Sequence, residues 1–569
     1  MSCSFAESNY SNKYKMKTLL RTFTLFIAVL SFSNIQAADI VITDDGSGTG
    51  TTTWTADNNY ILDGLVFVNS GQALTIEAGT VVKGMAGTGA DASALVVARG
   101  GQLFANGTDI APIIFTFEND PLDGSTPWDT RGQWGGLIVL GDAILNSTPG
   151  ESQVEGIPDT EARGLYGGEN DNDNSGSITY ISIRHGGTDI GAGNEINGLT
   201  LGGVGAETVI EHVEVVSNAD DGIEFFGGTV SIKWAVVAFC GDDSFDYDEG
   251  WRGRGQFWFT AQDSSNGEGD RGGEHDGGTN PEDGEPYAHP VIYNVTYVGL
   301  GIAAGKRALT FRDNAAGEYH NGVFVNWGKG IDVENLASGE DSYERLAAGE
   351  LAFAGNCFYN TASDGLGATA SDLFKISMGS GWASDADSTA ALTASTDALV
   401  ATFTANGNDV GNPMIETLIE EGSNGLVPVP SATLPTVTPS SDDWYTSATY
   451  KGAFDPTSSC SWLTGWTFLD SRGFIGCTNN IEEGVIADTA LNIFPNPTSG
   501  NITVTLPEAV SNGQLNILDL TGRVVATQQL VALPAGSFVQ LDMNNFENGI
   551  YLVQFNQGQV TRTARVVLR

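Results

Sequence analysis

A step of 22 residues, shared by strand and corner, constrains this chain more than any other feature. The run Ile210-Glu211-His212-Val213-Glu214-Val215-Val216 is answered by Ile232-Lys233-Trp234-Ala235-Val236-Val237-Ala238. The run Asp220-Asp221-Gly222-Ile223-Glu224-Phe225 is answered by Asp242-Asp243-Ser244-Phe245-Asp246-Tyr247 at the same step. Looser copies of the strand occur at Ile178–Arg184, Val291–Tyr297 and Gly322–Asn326, and earlier ones at Leu74–Val82 and Ala94–Ala98. A unit of two or three short β runs cannot bury its apolar side alone, so such units stack. The spacing therefore predicts an all-β chain wound as a parallel β-helix, with rungs ~4.8 Å apart. Gly, Asn and Asp at the corners suit turns that need positive φ. An array of β-sandwiches is the competing arrangement, but polar corners matched at a fixed step favour the solenoid.

The repetitive body is expected over 38–484. Between 338 and 450 the texture changes, with Ala-rich, helix-like composition at Glu340–Glu350 and Thr389–Asn406. This reads as an insertion or flank packed on the solenoid. Pro428–Ser441 is rich in Pro, Thr and Ser and reads as a loop. Trp444, Trp462 and Trp466 follow with Cys460 and Cys477, a combination expected to cap the last rung, because an exposed sheet edge invites pairing with other chains. Over 485–569, short alternating strands such as Ile502-Thr503-Val504-Thr505-Leu506 are separated by Asn512-Gly513, Thr521-Gly522 and Asn548-Gly549. That pattern predicts a small antiparallel sandwich.

At the other end, Lys15, Lys17 and Arg21 precede the apolar run Phe23–Phe32, and Ala37-Ala38 follow. A basic start, a short apolar stretch and small residues at the exit predict a secretory signal peptide over 1–37, with Met16 a plausible true start. The run is too short to span a bilayer, and no other segment is long and apolar enough. The formal charge is −45, which argues against nucleic-acid binding and supplies many oxygen ligands for hard cations. An oxidising exterior permits disulfides, and Cys460 with Cys477 is the pair favoured by sequence distance.

The acidic corners carry the chemistry. If the rungs stack, Asp220 lies over Asp242, Asp221 over Asp243 and Glu224 over Asp246. Phe245 and Tyr247 should face one way, Asp246 and Asp248 the other. Stacked like charges repel, and solvent, Arg252, Arg254 or a Ca²⁺ ion would offset this. The candidate calcium ligands here are Asp220, Asp242, Glu224 and Asp246. A second candidate is Asp171-Asn172-Asp173-Asn174-Ser175-Gly176-Ser177-Ile178, which follows the first half of an EF-hand loop through Asp171, Asp173 and Ser175. Position twelve is Ser182, so the bidentate carboxylate is missing, and a plain Asx-rich turn explains the segment equally well. The stretch 263–289 reads as a long acidic loop in which His275 and Asp276 offer a metal pair. His185 and His212 read as structural. Trp251, Phe257, Trp258 and Phe259 follow the acidic corner and read either as a glycan-stacking surface or as core.

Three resemblances bear on function. The motifs Phe494-Pro495-Asn496-Pro497-Thr498-Ser499-Gly500, Asp519-Leu520-Thr521-Gly522-Arg523 and Gly549-Ile550-Tyr551 resemble the type A C-terminal sorting domain of the type IX secretion system. Arg565 stands where that family usually has Lys. The resemblance implies export of a Gram-negative protein to its surface or exterior, with the secretion machinery and its sorting peptidase as partners. The repeats, with Asp173-Asn174-Ser175-Gly176, Leu199–Gly205 and Asp220–Gly228, resemble right-handed parallel β-helix proteins of the pectin-lyase-like kind. That group implies a fold and no agreed activity. Finally, Asp221-Gly222 and Gly241-Asp242-Asp243 resemble half of the polygalacturonase signature, which would put Asp221, Asp242 and Asp243 in acid and base roles. The Gly-His-Gly and Arg-Ile-Lys halves are absent. The nearest substitutes are Gly273-Glu274-His275-Asp276-Gly277 and Gly305-Lys306-Arg307. A calcium-dependent lyase with Arg252, Arg254 or Arg312 as base is the other enzymatic version. The expected role is non-catalytic binding or adhesion, to polysaccharide, with calcium as a structural ion. A polysaccharide-degrading enzyme is the alternative.

Overall fold

The computed structural model describes residues 38–477 and 491–568, apart from 156, 159, 192–193, 264–266, 433, 436, 495–497, 499, 507–508, 520–522, 535–536, 547–548 and 558–559. The expected signal peptide therefore lies outside the described residues, as do Pro495, Asn496, Pro497, Thr521, Gly522 and Asn548 of the C-terminal motifs. The chain divides into two compact units, Met1–Thr478 and Asn479–Arg569.

The first unit is a parallel β-helix. One side is a sheet of ten parallel strands, running from Leu65–Val68 through Leu199–Gly202, Ile223–Phe226, Phe245–Asp248, Gly273–Asp276 and Arg307–Arg312 to Phe374–Met378. The 22-residue step is its register: Ile223 pairs with Phe245 and Glu224 with Asp246. The same step pairs Ile210 with Ile232 on the other side. Alternation sends Ile223, Phe225, Phe245 and Tyr247 into the interior, where they meet Ile210, Val213, Val215, Ile232 and Val237. Asp246 and Asp248 face outward, as the pattern requires.

The two remaining sides meet at a corner with unusual chemistry. The strands Gly176–Arg184, Val209–Val216 and Ser231–Ala238 run continuously around it, bending at Tyr180, His212 and Trp234, whose φ angles are 49°, 55° and 55°. Phe257 repeats the bend at φ 59°. Sequence reasoning assigns left-handed corners to Gly, Asn and Asp, and Asn294 and Asn321 obey that rule in later rungs. Earlier rungs use large rings because the rings stack outside the helix: Tyr180 on His212 at 4.1 Å and His212 on Trp234 at 4.5 Å. Stacking offsets a backbone cost on the order of 1–3 kcal/mol per residue.

One expectation changes. After 338 the rungs continue through Leu351–Ala354, Cys357–Tyr359 and Phe374–Met378. Helices Ser342–Ala348 and Asp385–Ala405 are inserted between them. It is the second helix that covers the end of the core, with Phe403 against Phe358 and Phe374 at 5.7 and 5.5 Å. The Trp- and Cys-containing segment does not cap that end. Residues 411–477 instead run back along the outside as a strap, seating Leu426, Val429, Phe454, Trp466 and Phe474 on Val216, Val236, Phe239 and Phe259. The outer side chains Val216, Val236, Phe239 and Phe259 are apolar, and the strap covers them. Cys460 and Cys477 are disulfide-bonded within the strap.

The second unit is an antiparallel sandwich. Strands Asn492–Phe494, Ile502–Thr505 and Phe538–Leu541 form one sheet. Val510–Leu518, Val524–Leu533, Gly549–Gln557 and Val560–Leu568 form the other. Ile502, Val504, Leu515, Ile517, Val553, Phe555 and Val566 fill the space between.

Candidate functional site

The outer face of the ten-stranded sheet carries one continuous row of polar side chains. Thr200, Glu224, Asp246, Glu274, Thr310, Asp332 and Lys375 follow one another in register across seven rungs. Beside the row, the turns leading into the strands contribute Asp220 and Asp221, then Asp242 and Asp243, then Asp270 and Arg271. The backbone N–H of Asp243 donates to Asp221 Oδ1 at 2.8 Å, which locks one corner onto the next.

The downstream half of this face is neutralised. Arg271 Nη1 lies 3.1 Å from Asp243, 3.1 Å from Asp270 and 3.0 Å from Glu274. Arg312 grips Asp276 at 2.7 and 3.0 Å and reaches Glu274 at 3.0 Å. Arg307 and Lys375 converge on Asp332 at 2.8 and 3.0 Å. Four cations thus gather around a cavity of about 140 Å³ in a strongly acidic chain.

The upstream half is not neutralised. Among the described residues, no Arg or Lys forms an ion pair with Asp220, Asp221, Glu224 or Asp246. Instead their oxygens converge. Asp220, Asp221 and Asp242 bring one carboxylate oxygen each within 4.8 Å of one another, and so do Asp221, Glu224 and Asp246. Two further buried oxygens here lack a hydrogen-bond partner, Asp246 Oδ1 and Asn197 Oδ1. Asn197 is only 2% exposed, and its Nδ2 donates to Glu224 Oε2.

Crowding without countercharge holds protons. Burial, then Glu195, Glu155 and Asp242, push Asp220 up to about 7. Asp242 opens to solvent on one side, yet the protein packed around it and the charge of Asp243 lift it to about 6. Burial and neighbouring carboxylates also raise Asp221, Glu224 and Asp246 well above the usual range. Such a set is suited to a hard cation: oxygen donors only, no fixed geometry, and unfilled lone pairs.

The catalytic alternative meets an obstacle. Asp243 is 1% exposed, accepts the Arg271 backbone N–H and pairs with the Arg271 side chain, so both its oxygens are engaged. Asp221 is likewise buried and spends Oδ1 on the Asp243 backbone. Of the three, only Asp242 is open to solvent.

Residues 46–412 match the pectate-lyase-like β-helix domain family, which is well over half of the chain. The chain belongs to that family. Residues 492–569 match the secretion system C-terminal sorting domain. This pectate-lyase-like β-helix protein is therefore exported by the type IX secretion system, to the cell surface or beyond it, and engages that machinery through its C-terminal unit. No curated protein matches the chain. Among the described residues no helix is long and apolar enough to cross a membrane.

The other candidate residues lie elsewhere. Asp171 is held by Arg252 at 2.9 Å and accepts the Ile144 N–H at 3.1 Å. Asp173 Oδ2 accepts from the Ser175 hydroxyl at 3.1 Å. The segment closes on itself through Asn170 and Asn174, each accepting a backbone N–H two residues on. It is not among the described groups of converging acidic oxygens. Arg252 thus serves Asp171, and Arg254 serves Asp442, so neither offsets the acidic corner. The stretch read as a loop contributes a rung, Gly273–Asp276. His275 points inward there, away from Asp276, stacked on Tyr247 at 4.1 Å and bonded to the Tyr319 hydroxyl at 2.7 Å. Trp251, Phe257, Trp258 and Phe259 are all buried, which removes them as a glycan surface. Burial follows from alternation: Trp251 and Trp258 donate to backbone carbonyls inside the helix, while Phe257 and Phe259 lie under the strap.

Proposed function

We propose that the acidic face of this protein is a cation-dependent binding surface for an anionic polysaccharide. The observation that carries the reading is the uncompensated cluster of Asp220, Asp221, Glu224 and Asp246, next to the four cations of the downstream cavity. A Ca²⁺ ion would take oxygens from Asp221, Glu224 and Asp246, with Asn197 Oδ1 at hand. It would neutralise the charge that now favours protonation. Arg271, Arg307, Arg312 and Lys375 would face carboxylates of the ligand, with guanidinium groups suited to bidentate contact. The engagement of Asp221 and Asp243 by backbone and Arg271 supports binding over hydrolysis.

The test titrates calcium chloride into the full chain by calorimetry, then measures migration through gels containing polygalacturonate, with calcium or with chelator. Calcium-dependent retardation lost in a Glu224→Gln, Asp246→Asn variant supports the reading. Equal migration in all four conditions rejects it. Release of unsaturated or reducing ends would make the face an active site instead.

A further inference from the structure

A further group of carboxylates gathers on later rungs, at the opposite ends of the strands from the acidic turns. Glu282, Asp313 and Glu334 bring one oxygen each within 4.8 Å of one another. Each comes from a different part of the chain. Glu334 belongs to the strand Lys329–Asn335, which pairs with Arg307–Arg312. Asp313 follows Arg307–Arg312 directly, in a corner where Asp313 and Asn314 have φ angles of 49° and 65°. Asp and Asn tolerate that left-handed region better than other residues with a Cβ. The backbone N–H of Asp313 donates to Glu334 Oε2 at 2.9 Å. Its carbonyl accepts from the N–H groups of Gly277 and Gly278 at 3.0 and 3.2 Å, which anchors the segment that carries Glu282.

The protein's own cations are committed elsewhere. Among the described residues, no Arg or Lys forms an ion pair with Glu282 or Glu334. Arg312 stands 3.9 Å from Asp313 but is engaged by Asp276 at 2.7 Å and Glu274 at 3.0 Å. Arg345 serves Glu340 and Glu350. Burial, then the charges of Asp313, Asp283 and Asp341, raises Glu282 above the usual carboxylate range. Burial raises Glu334 too, with Asp313, Glu282 and Asp341 adding to it against the Asp313 N–H. A neutral acceptor joins the group. Asn314 is 1% exposed, and its Nδ2 reaches the Glu282 carbonyl and Glu340 Oε2, both at 3.4 Å. Its Oδ1, on the same amide carbon, is buried and has no hydrogen-bond partner. An unmatched amide oxygen is costly, and ionised carboxylates beside it have no proton to donate. The ligand that all four oxygens can share is a cation.

We infer that Glu282, Asp313 and Glu334, with Asn314 Oδ1, form a Ca²⁺ site separate from the acidic corner. Oxygens on opposite sides of a calcium ion lie about 4.6–5.2 Å apart and others lie closer, so the spacing of these three carboxylates suits its shell. Mg²⁺ needs a tighter, near-octahedral set, which a turn, a strand and a long segment between rungs are less able to supply. The ion would replace the missing countercharge and tie the segment carrying Glu282 to two rungs. The inference uses none of Asp220, Asp221, Glu224 and Asp246, so it does not rest on the reading of the acidic corner.

The experiment titrates calcium chloride into the full chain by calorimetry. Four proteins are compared: the parent, Glu224→Gln with Asp246→Asn, Glu282→Gln with Glu334→Gln, and all four changes together. The variant altered at the acidic corner should keep saturable binding of about one equivalent, and adding Glu282→Gln and Glu334→Gln should weaken that binding roughly tenfold or more. Hydrogen exchange locates the ion: calcium should slow exchange over 279–287 in the parent and leave it unchanged in Glu282→Gln with Glu334→Gln. Thermal melting checks the fold, and Glu334→Gln alone, which keeps an oxygen for the Asp313 N–H, decides if the pair does not fold. Loss of binding with one pair of changes and not with the other tells failure of the acidic corner from failure of this site. Absence of calcium binding in Glu224→Gln with Asp246→Asn, or equal affinity once Glu282→Gln and Glu334→Gln are added to it, overturns the inference.

Discussion

Glu224 stands in parallel register with Asp246 on the outer face of the ten-stranded sheet. Two ionised carboxylates one rung apart repel by a few kcal/mol, about 3 at an effective dielectric near 20. Burial and the neighbouring carboxylates push both groups well above the usual carboxylate range, which favours protonation, and a divalent cation would compete with the protons.

The sign of the pH dependence follows. Asp220 and Asp242 have folded-state values of about 7 and about 6, above the ordinary carboxylate range. The folded state therefore binds protons that the unfolded chain has released. This contribution to stability is fully present below pH ~4 and is lost as pH rises through about 6 to 7. Calcium competes with those protons, so the gap in Tm between calcium and chelator should widen from pH 5 to pH 8. At calcium a hundredfold over Kd the gap corresponds to about 2.7 kcal/mol. Scanning fluorimetry at four pH values measures it, and a gap independent of pH would remove calcium from this face.

Removing the charges should have opposite effects with and without the ion. Glu224→Gln with Asp246→Asn should raise stability in chelator at pH 8 by about 1–2 kcal/mol, because repulsion between neighbours goes. The same variant should lose the calcium-induced rise in Tm. Denaturant unfolding of the two proteins in both buffers gives the comparison.

Arg271 is the hinge of charge balance downstream, contacting Asp243, Asp270 and Glu274. Arg271→Met leaves the buried Asp243 without its ion-pair partner, while Glu274 keeps Arg312 and Asp270 keeps Lys306, and should cost about 3–5 kcal/mol. Adding Asp243→Asn and Glu274→Gln should recover part of that loss. Urea unfolding of the single and triple variants checks this, and absence of any recovery would mean that the arginine acts by packing.

The strap is held at one end by a buried acid. Glu214 accepts the backbone N–H groups of Phe468 at 2.7 Å and Leu469 at 3.3 Å. Glu214→Ala strands both donors and should cost about 1–3 kcal/mol. Loss of the Cys460–Cys477 bridge, whose partners are 17 residues apart, should cost about 3 kcal/mol. Limited proteolysis should then cut first within 411–477, while the rungs stay protected.

How much of this was legible depended on rung length. Glu224 and Asp246 are 22 residues apart, and the repeat spacing alone is enough to stack them. The next steps along the same row, Asp246 to Glu274, Glu274 to Thr310 and Asp332 to Lys375, are longer and unequal, because loops and helices of different size leave the helix between them. Thr310 and Asp332 return to the 22-residue step, but the insertions on either side isolate that pair from the earlier rungs. Spacing therefore could not assign Arg271, Arg307 and Lys375 to the face, nor mark Asn197 as a neighbour of Glu224.

The burial of Phe257 and Phe259 and the path of the strap were hidden for a different reason. Alternation says that one face of a strand is covered and does not say by what. A solenoid has an outside as well as an inside, and residues some 200 positions later cover the outside of the middle rungs.

The sequence by itself determined the parallel β-helix, its register at the acidic corners and the exported character of the chain. Each of these is written in local spacing or in a contiguous motif. Tertiary structure decided which carboxylates go without countercharge, which aromatics are buried and where the strap lies. Those outcomes depend on contacts between segments whose separation varies from rung to rung, and only the folded chain sums them.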